Sequence, residues 1–194
     1  MKLLGVGRPL RQLADDATIH AGSRGSNKGQ IVWDEQDYAS LIGEIGRSAT
    51  LQEWRVLAWC VMPNHFHIVA RMTNGGFSVG FQTINGTHSR RVNRRHGREA
   101  HLWKNRPWCY ELSSQAHLVG AIVYVLRNPV EAGICEFAHQ WPYSSYRATV
   151  GLDDASKWLA VDEALALFGD TTAGARLNLA ELVHRGRYVV SDTG

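Results

Sequence analysis

Four residues have the types and spacing from which phosphate chemistry could be built: His65, His67, Tyr124 and Asn128. The two histidines lie in the run Pro63-Asn64-His65-Phe66-His67-Ile68-Val69-Ala70, which opens with a turn pair and continues as an apolar strand. Side chains alternate across a strand, so both imidazoles project from one face while Phe66 and Ile68 go to the other. Neutral imidazoles so placed are ready ligands for a divalent cation. Tyr124 and Asn128 are four apart in a stretch of helical periodicity, which stacks them on one side about 6 Å apart along the axis.

A hard divalent ion, Mg²⁺ or Mn²⁺, held by two imidazoles and one amide oxygen keeps open positions for phosphate oxygens and acts on them as a Lewis acid. A phenol, with an ordinary pKa of about 10, is a poor nucleophile at neutral pH. It becomes useful when it is held in line with a phosphorus atom. Attack would leave a covalent phosphotyrosine that conserves bond energy, which suits strand transfer better than hydrolysis. Each piece also has a plainer reading. A His-x-His strand is commonly structural, Tyr124 could pack at a core edge, and Asn128 before Pro129 could simply stop a helix. Of the remaining tyrosines, Tyr38, Tyr110, Tyr143, Tyr146 and Tyr188, the first four have no ligand-type side chain four residues further along the chain, as Tyr124 has in Asn128.

The elements that must position these groups are legible in the periodicity. Thr18 to Ser23 alternates as a strand and ends in a turn-rich loop. Asp34 can cap a helix over roughly 35 to 48, where Tyr38, Leu41, Ile42 and Ile45 recur at helical spacing. Glu53 to Met62 and His65 to Met72 form an antiparallel hairpin across Pro63-Asn64. A long helix follows from Phe77 to His96, then a strand from Trp108 to Leu112. A helix capped by Ser113 or Ser114 runs to about Arg127, burying Leu118, Ala121, Ile122 and Val125, and Pro129 should stop it. This order predicts an α+β, ferredoxin-like plan, an antiparallel sheet with helices on one face. The spacing divides the chain at residue 150: a main domain over 1–150, then, past an Asp153-Asp154-Ala155-Ser156 linker, a small helical C-terminal extension over 151–194.

The chain has 194 residues, 44% of them apolar, and a formal net charge of +3. Charge distribution is more telling than its sum. Arg90, Arg91, Arg94, Arg95, Arg98, Lys104 and Arg106 face a single acid, Glu99, within one segment. This is either a solvated basic helix face or a track for a phosphate backbone. Trp103 and Trp108 could stack on unpaired bases or pack in a core or loop. Arg8 and Arg11 could form a basic arm. Three cysteines without a Cys-x-x-Cys spacing suggest neither a disulfide frame nor a zinc knuckle. With no apolar run of signal or membrane-spanning length, the expectation is a cytoplasmic protein without a membrane partner.

Taken together, the motifs resemble a known family. Met62-Pro63-Asn64-His65-Phe66-His67 is similar to the histidine-hydrophobic-histidine (HUH) signature of the single-tyrosine, IS200-like transposases, and looks closest to their REP-associated branch. Arg8-Pro9-Leu10-Arg11, Ser23-Arg24-Gly25, Asn93-Arg94-Arg95, Tyr124-x-x-x-Asn128-Pro129 and Trp141-Pro142-Tyr143-Ser144-Ser145-Tyr146 agree with it, over about residues 8 to 150. The resemblance implies His65 and His67 as metal ligands, Asn128 as the third, and Tyr124 as the nucleophile. It implies single-stranded DNA with a neighbouring hairpin as substrate, a 5′-phosphotyrosine and a free 3′-hydroxyl as products, and a monomer or homodimer. The chain departs from its relatives at His88 and Val92, and at His101-Leu102-Trp103-Lys104-Asn105-Arg106, within the segment expected to face DNA. Two other readings stay open: a silent nucleic-acid-binding module on the same plan, and a metallohydrolase using a water nucleophile.

Overall fold

β1 (Ala17–Arg24), α1 (Glu35–Leu51), β2 (Trp54–Met62), β3 (His65–Met72), α2 (Phe77–Arg95), β4 (Trp108–Glu111) and α3 (Gln115–Glu131) follow one another in the expected order. They come from a computed structural model that describes residues 17–72 and 76–186. The strands form one antiparallel sheet in the order β2-β3-β1-β4, the ferredoxin-like arrangement. The Pro63-Asn64 turn sets the hairpin register, with Met62 opposite His65 and Cys60 opposite His67.

Alternation divides β3 between two cores. Phe66, Ile68, Ala70 and Met72 point into a core shared with Leu41 and Ile45 of α1 and Phe81, Ile84 and Val92 of α2. Val69, together with Leu57, Cys60 and Met62 of β2, points the other way, into a core shared with Leu118, Ile122 and Val125 of α3. Burying one such aliphatic side chain contributes about 1.5–3 kcal/mol, so each face is held by many small terms. The antiparallel α+β plan is thus as expected, and α1 and α2 do share one face. The third helix covers the other face, because both parities of β2 are apolar and each needs a cover.

α3 begins at Ser114, whose hydroxyl accepts from the His117 backbone N–H at 3.2 Å. It does not stop at Pro129. The proline lies within the last turn, and the helix runs on to Glu131 and is closed by Gly133, whose φ of +67° lets its N–H reach Val130 O while Ile134 N–H reaches Pro129 O. Asn128 therefore stays on a helical turn directly beyond Tyr124. The preference against helix before proline gives way to this glycine cap.

Beyond residue 133, Val61 N–H donates to Tyr143 O and Ser145 N–H to Trp59 O, so the aromatic segment lies along the outer edge of β2. α4 (Tyr146–Val150), α5 (Val161–Leu165) and α6 (Thr172–Arg185) follow. Tyr146, Leu165, Phe168, Leu179 and Val183 enter the α3-side core, so residues on both sides of position 150 share it. No helix among the described residues is long and apolar enough to cross a membrane.

Candidate active site

α3 covers β2 and β3 but leaves the same face of β1 and β4 open. The result is a cleft of about 370 Å³, lined by His20 and Arg24 of β1, His65 and His67 of β3, Trp108 and Tyr110 of β4, and Tyr124 of α3. Lys104 and Arg106, on the loop before β4, complete its rim. The floor is possible because residue 22 is glycine. A Cβ there would lie 2.5 Å from Trp108 Cζ2 and closer still to the Phe66 carbonyl, so the indole lies across bare backbone. A larger groove between α3 and α6, about 490 Å³, carries none of the candidate residues.

His65, His67 and Tyr124 line this cleft, and buried Asn128 is joined to it through His65. His65 Nε2 is 3.1 Å from Asn128 Oδ1, and the Tyr124 and His67 ring centroids are 5.5 Å apart and perpendicular. Tyr124 is 43% exposed, whereas His67 and Asn128 are buried. Burial pulls His65 down to about 4, assisted by the Arg24 guanidinium and opposed by the Asn128 contact. His67 is held well below the ordinary histidine value, by burial first and then by His65, His20 and Arg24. Both rings are therefore neutral at pH 7, the form that binds metals.

The lone pairs also fit a cation. His65 Nδ1–H donates to Asn64 Oδ1 at 2.6 Å, which leaves Nε2 of the neutral ring bare. That bare nitrogen faces Asn128 Oδ1, another acceptor. Two ligands at right angles on an ion with bonds of about 2.1 Å sit about 3.0 Å apart, close to the separation found. His67 Nε2 is buried with no partner. His65 Nε2 and Asn128 Oδ1, with the unpartnered Nε2 of His67 on a ring whose centroid is 4.8 Å from that of His65, are a donor set suited to a divalent ion.

Asp34, Asp37 and His96 also come together, at the junction of α1 and α2. There Arg95 pairs with both carboxylates, and His96 Nε2 lies 2.7 Å from buried Asp37. A cation is already in place, and the cluster ties the start of α1 to the end of α2.

The remaining expected DNA contacts divide. Lys104 and Arg106 reach the cleft. Arg90, Arg91, Arg94 and Arg95 belong to α2, on the opposite layer of the sheet. Arg95 is held by Asp34 and Asp37, and the Arg98 guanidinium lies 4.7 Å from the centre of the Trp33 ring. Trp103 packs at 5.8 Å from Phe66, and its indole N–H donates to Asn85 O at 2.9 Å, so this ring is engaged in holding α2 to the sheet. His88 is likewise internal, with Nε2–H donating to Ile31 O at 2.7 Å. Arg8 and Arg11 lie outside the described residues. His20, Arg24, Asn64 and Tyr110 also stand at the site; the sequence does not single out His20, shows Arg24 and Asn64 only within motifs, and offers Tyr110 only as a rival nucleophile. The alternation of β1 put His20 and Arg24 on one face, but not which neighbouring strand they would meet.

Comparison with known proteins bears on the family and the fold. A family model described as IS200-like transposase matches residues 19–119, more than half of the 194-residue chain; the match includes the histidines and stops short of Tyr124. A Haemophilus influenzae protein described as a REP-associated tyrosine transposase is 24% identical over 108 residues. That alignment takes in 50% of this chain and 61% of the relative, so this chain spans less than two thirds of it. The solved structure of a REP-associated tyrosine transposase bound to a REP hairpin has the same fold. It superposes with a TM-score of 0.63 at 19% identity, covering 79% of this chain and 93% of that one. On the family match, with the fold in accord, this chain belongs to the IS200-like transposase family.

Proposed function

We propose that this protein nicks and rejoins single-stranded DNA, with Tyr124 as nucleophile and His65, His67 and Asn128 as ligands of a divalent metal, Mg²⁺ or Mn²⁺. The observation that carries the reading is that His65 meets Asn128 at 3.1 Å while His67, its Nε2 without a partner, packs against the half-exposed ring of Tyr124, with His65, His67 and Tyr124 lining one cleft. When bound, the ion would supply Lewis-acid stabilisation of charge on the phosphate oxygens. The Tyr124 oxygen attacks the phosphorus, the bond to the 3′ oxygen breaks, and the phenolic proton is lost while the departing oxygen gains one. A 5′-phosphotyrosine and a 3′-hydroxyl result. The reverse attack by a 3′-hydroxyl re-forms the strand and releases Tyr124, with no net change in bond type.

The cleft's chemistry suits a single strand. Arg24, Lys104 and Arg106 offer charge to its phosphates, and Tyr110, 66% exposed, offers a ring to an unpaired base. The solved relative of the same fold is bound to a REP hairpin, and hairpin-bearing DNA is the substrate we propose here. Arg90, Arg91 and Arg94 would meet only DNA that extends past the sheet. Because β3 and α3 of one chain supply the full set, a monomer could act alone.

The test is incubation with labelled hairpin-bearing single-stranded DNA and Mn²⁺. The wild type should give a denaturation-resistant adduct, and Tyr124→Phe should give none while binding DNA as before. An adduct in Tyr124→Phe overturns the assignment of the nucleophile. Nicking without any adduct would point instead to water attack.

A further inference from the structure

His20, on β1, is not one of the residues that would hold the metal, yet its ring lies against three side chains of the cleft. Its Nε2 is 3.0 Å from His67 Nδ1. Its ring centroid is 5.8 Å from that of Tyr124 and 4.8 Å from that of Trp108, both in edge-on contacts. It pairs in register with Val69, which puts it diagonal to His67 on the same face of the sheet.

The direction of the His20–His67 hydrogen bond decides whether His67 can bind a metal. A neutral imidazole carries one N–H. If His20 donated to His67 Nδ1, the His67 proton would have to sit on Nε2. That atom is buried and has no partner, so the result would be a buried donor with nothing to accept it. If His67 Nδ1–H donates to His20 instead, Nε2 carries a bare lone pair, the form that can bind a metal, on a ring whose centroid is 4.8 Å from that of His65. Metal-binding histidines commonly donate their second N–H to an acceptor that fixes tautomer and ring orientation. For His65 that acceptor is Asn64 Oδ1.

We infer that His20 plays the same part for His67. It is a positioning residue that accepts the His67 Nδ1–H, keeps His67 Nε2 free for the metal, and props the Tyr124 ring beside it. The inference rests on the metal-dependent reading above. It concerns neither the nucleophile nor the DNA, and can stand or fall apart from them.

Two variants separate the hydrogen bond from packing. His20→Phe keeps a ring and removes the acceptor; His20→Gln keeps an acceptor and removes the ring. Mn²⁺ binding by the DNA-free protein is followed by calorimetry, and the tautomer of His67 by ¹⁵N chemical shifts in metal-free protein. The wild type should show His67 protonated on Nδ1. His20→Phe should shift it toward Nε2–H and weaken Mn²⁺ binding by about 10- to 100-fold, the usual effect of losing such a partner. His20→Gln should recover most of the affinity. Wild-type Mn²⁺ affinity in His20→Phe, or equal losses in both variants that track melting temperature, overturns the role of His20. A wild type that binds no divalent ion overturns the metal site itself, whereas an absent DNA adduct with the Mn²⁺ pattern intact bears only on Tyr124.

Discussion

His65 Nε2 and Asn128 Oδ1 stand 3.1 Å apart across 63 residues of sequence, joining a strand to the helix that crosses it. Neither atom has a proton to give the other when His65 is neutral and donates through Nδ1 to Asn64. Two acceptors held this close are a relationship that a cation relieves. The same contact places the nucleophile, because Tyr124 is one turn before Asn128 on α3.

Asn128→Ala should therefore reduce both metal binding and adduct formation. We expect at least a tenfold loss of Mn²⁺ affinity, about 1.4 kcal/mol, since one of three ligands is gone. Asn128→Asp, which keeps an oxygen in place and adds charge, should retain binding. Calorimetry on the DNA-free variants checks this. Unchanged affinity in Asn128→Ala would remove Asn128 from the ligand set.

The basic residues should separate into two classes. Lys104→Ala and Arg106→Ala should weaken single-strand binding and each reduce the slope of log affinity against log salt by about 0.7. Arg95→Ala should leave DNA affinity nearly untouched and instead lower the melting temperature, because it strips the cation from buried Asp37 and from Asp34. Salt-dependent binding titrations alongside thermal unfolding distinguish the two. A large DNA-binding loss in a fully folded Arg95→Ala would reverse the division.

Acid should destabilise the metal-free fold within a defined window. Burial lowers His20 and His65 to about 4 from an ordinary 6.5, and His67 and His88 are lowered too. Between those values the unfolded chain binds more protons than the folded one, so stability falls as pH drops from about 6.5 toward 4. Above about 6.5 these histidines contribute no pH dependence. Urea midpoints at pH 7.5, 5.5 and 4.5 should fall between the first and the last, and a flat profile would contradict the burial of the neutral rings.

Much of this molecule is legible in local pattern. Alternation or short apolar runs mark β1 to β4, and period-3.6 runs mark α1 to α3. The His-x-His parity puts His65 and His67 on one face, and the i, i+4 spacing stacks Tyr124 with Asn128, since those relations depend only on backbone geometry over a few residues. The end of α3 is not legible in the same way, because a proline's local preference is outweighed by the glycine cap four residues later. Tertiary structure decided what local pattern could not: which side of the sheet each helix covers. That choice carried the arginines of α2 away from the histidines and sequestered Arg95 and Trp103. It also brought His20 and Arg24, 41 to 47 residues from His65 and His67, into the cleft. Strand order and the burial of both faces of β2 set those distances, and both arise from contacts between segments far apart in the chain, which no local periodicity encodes.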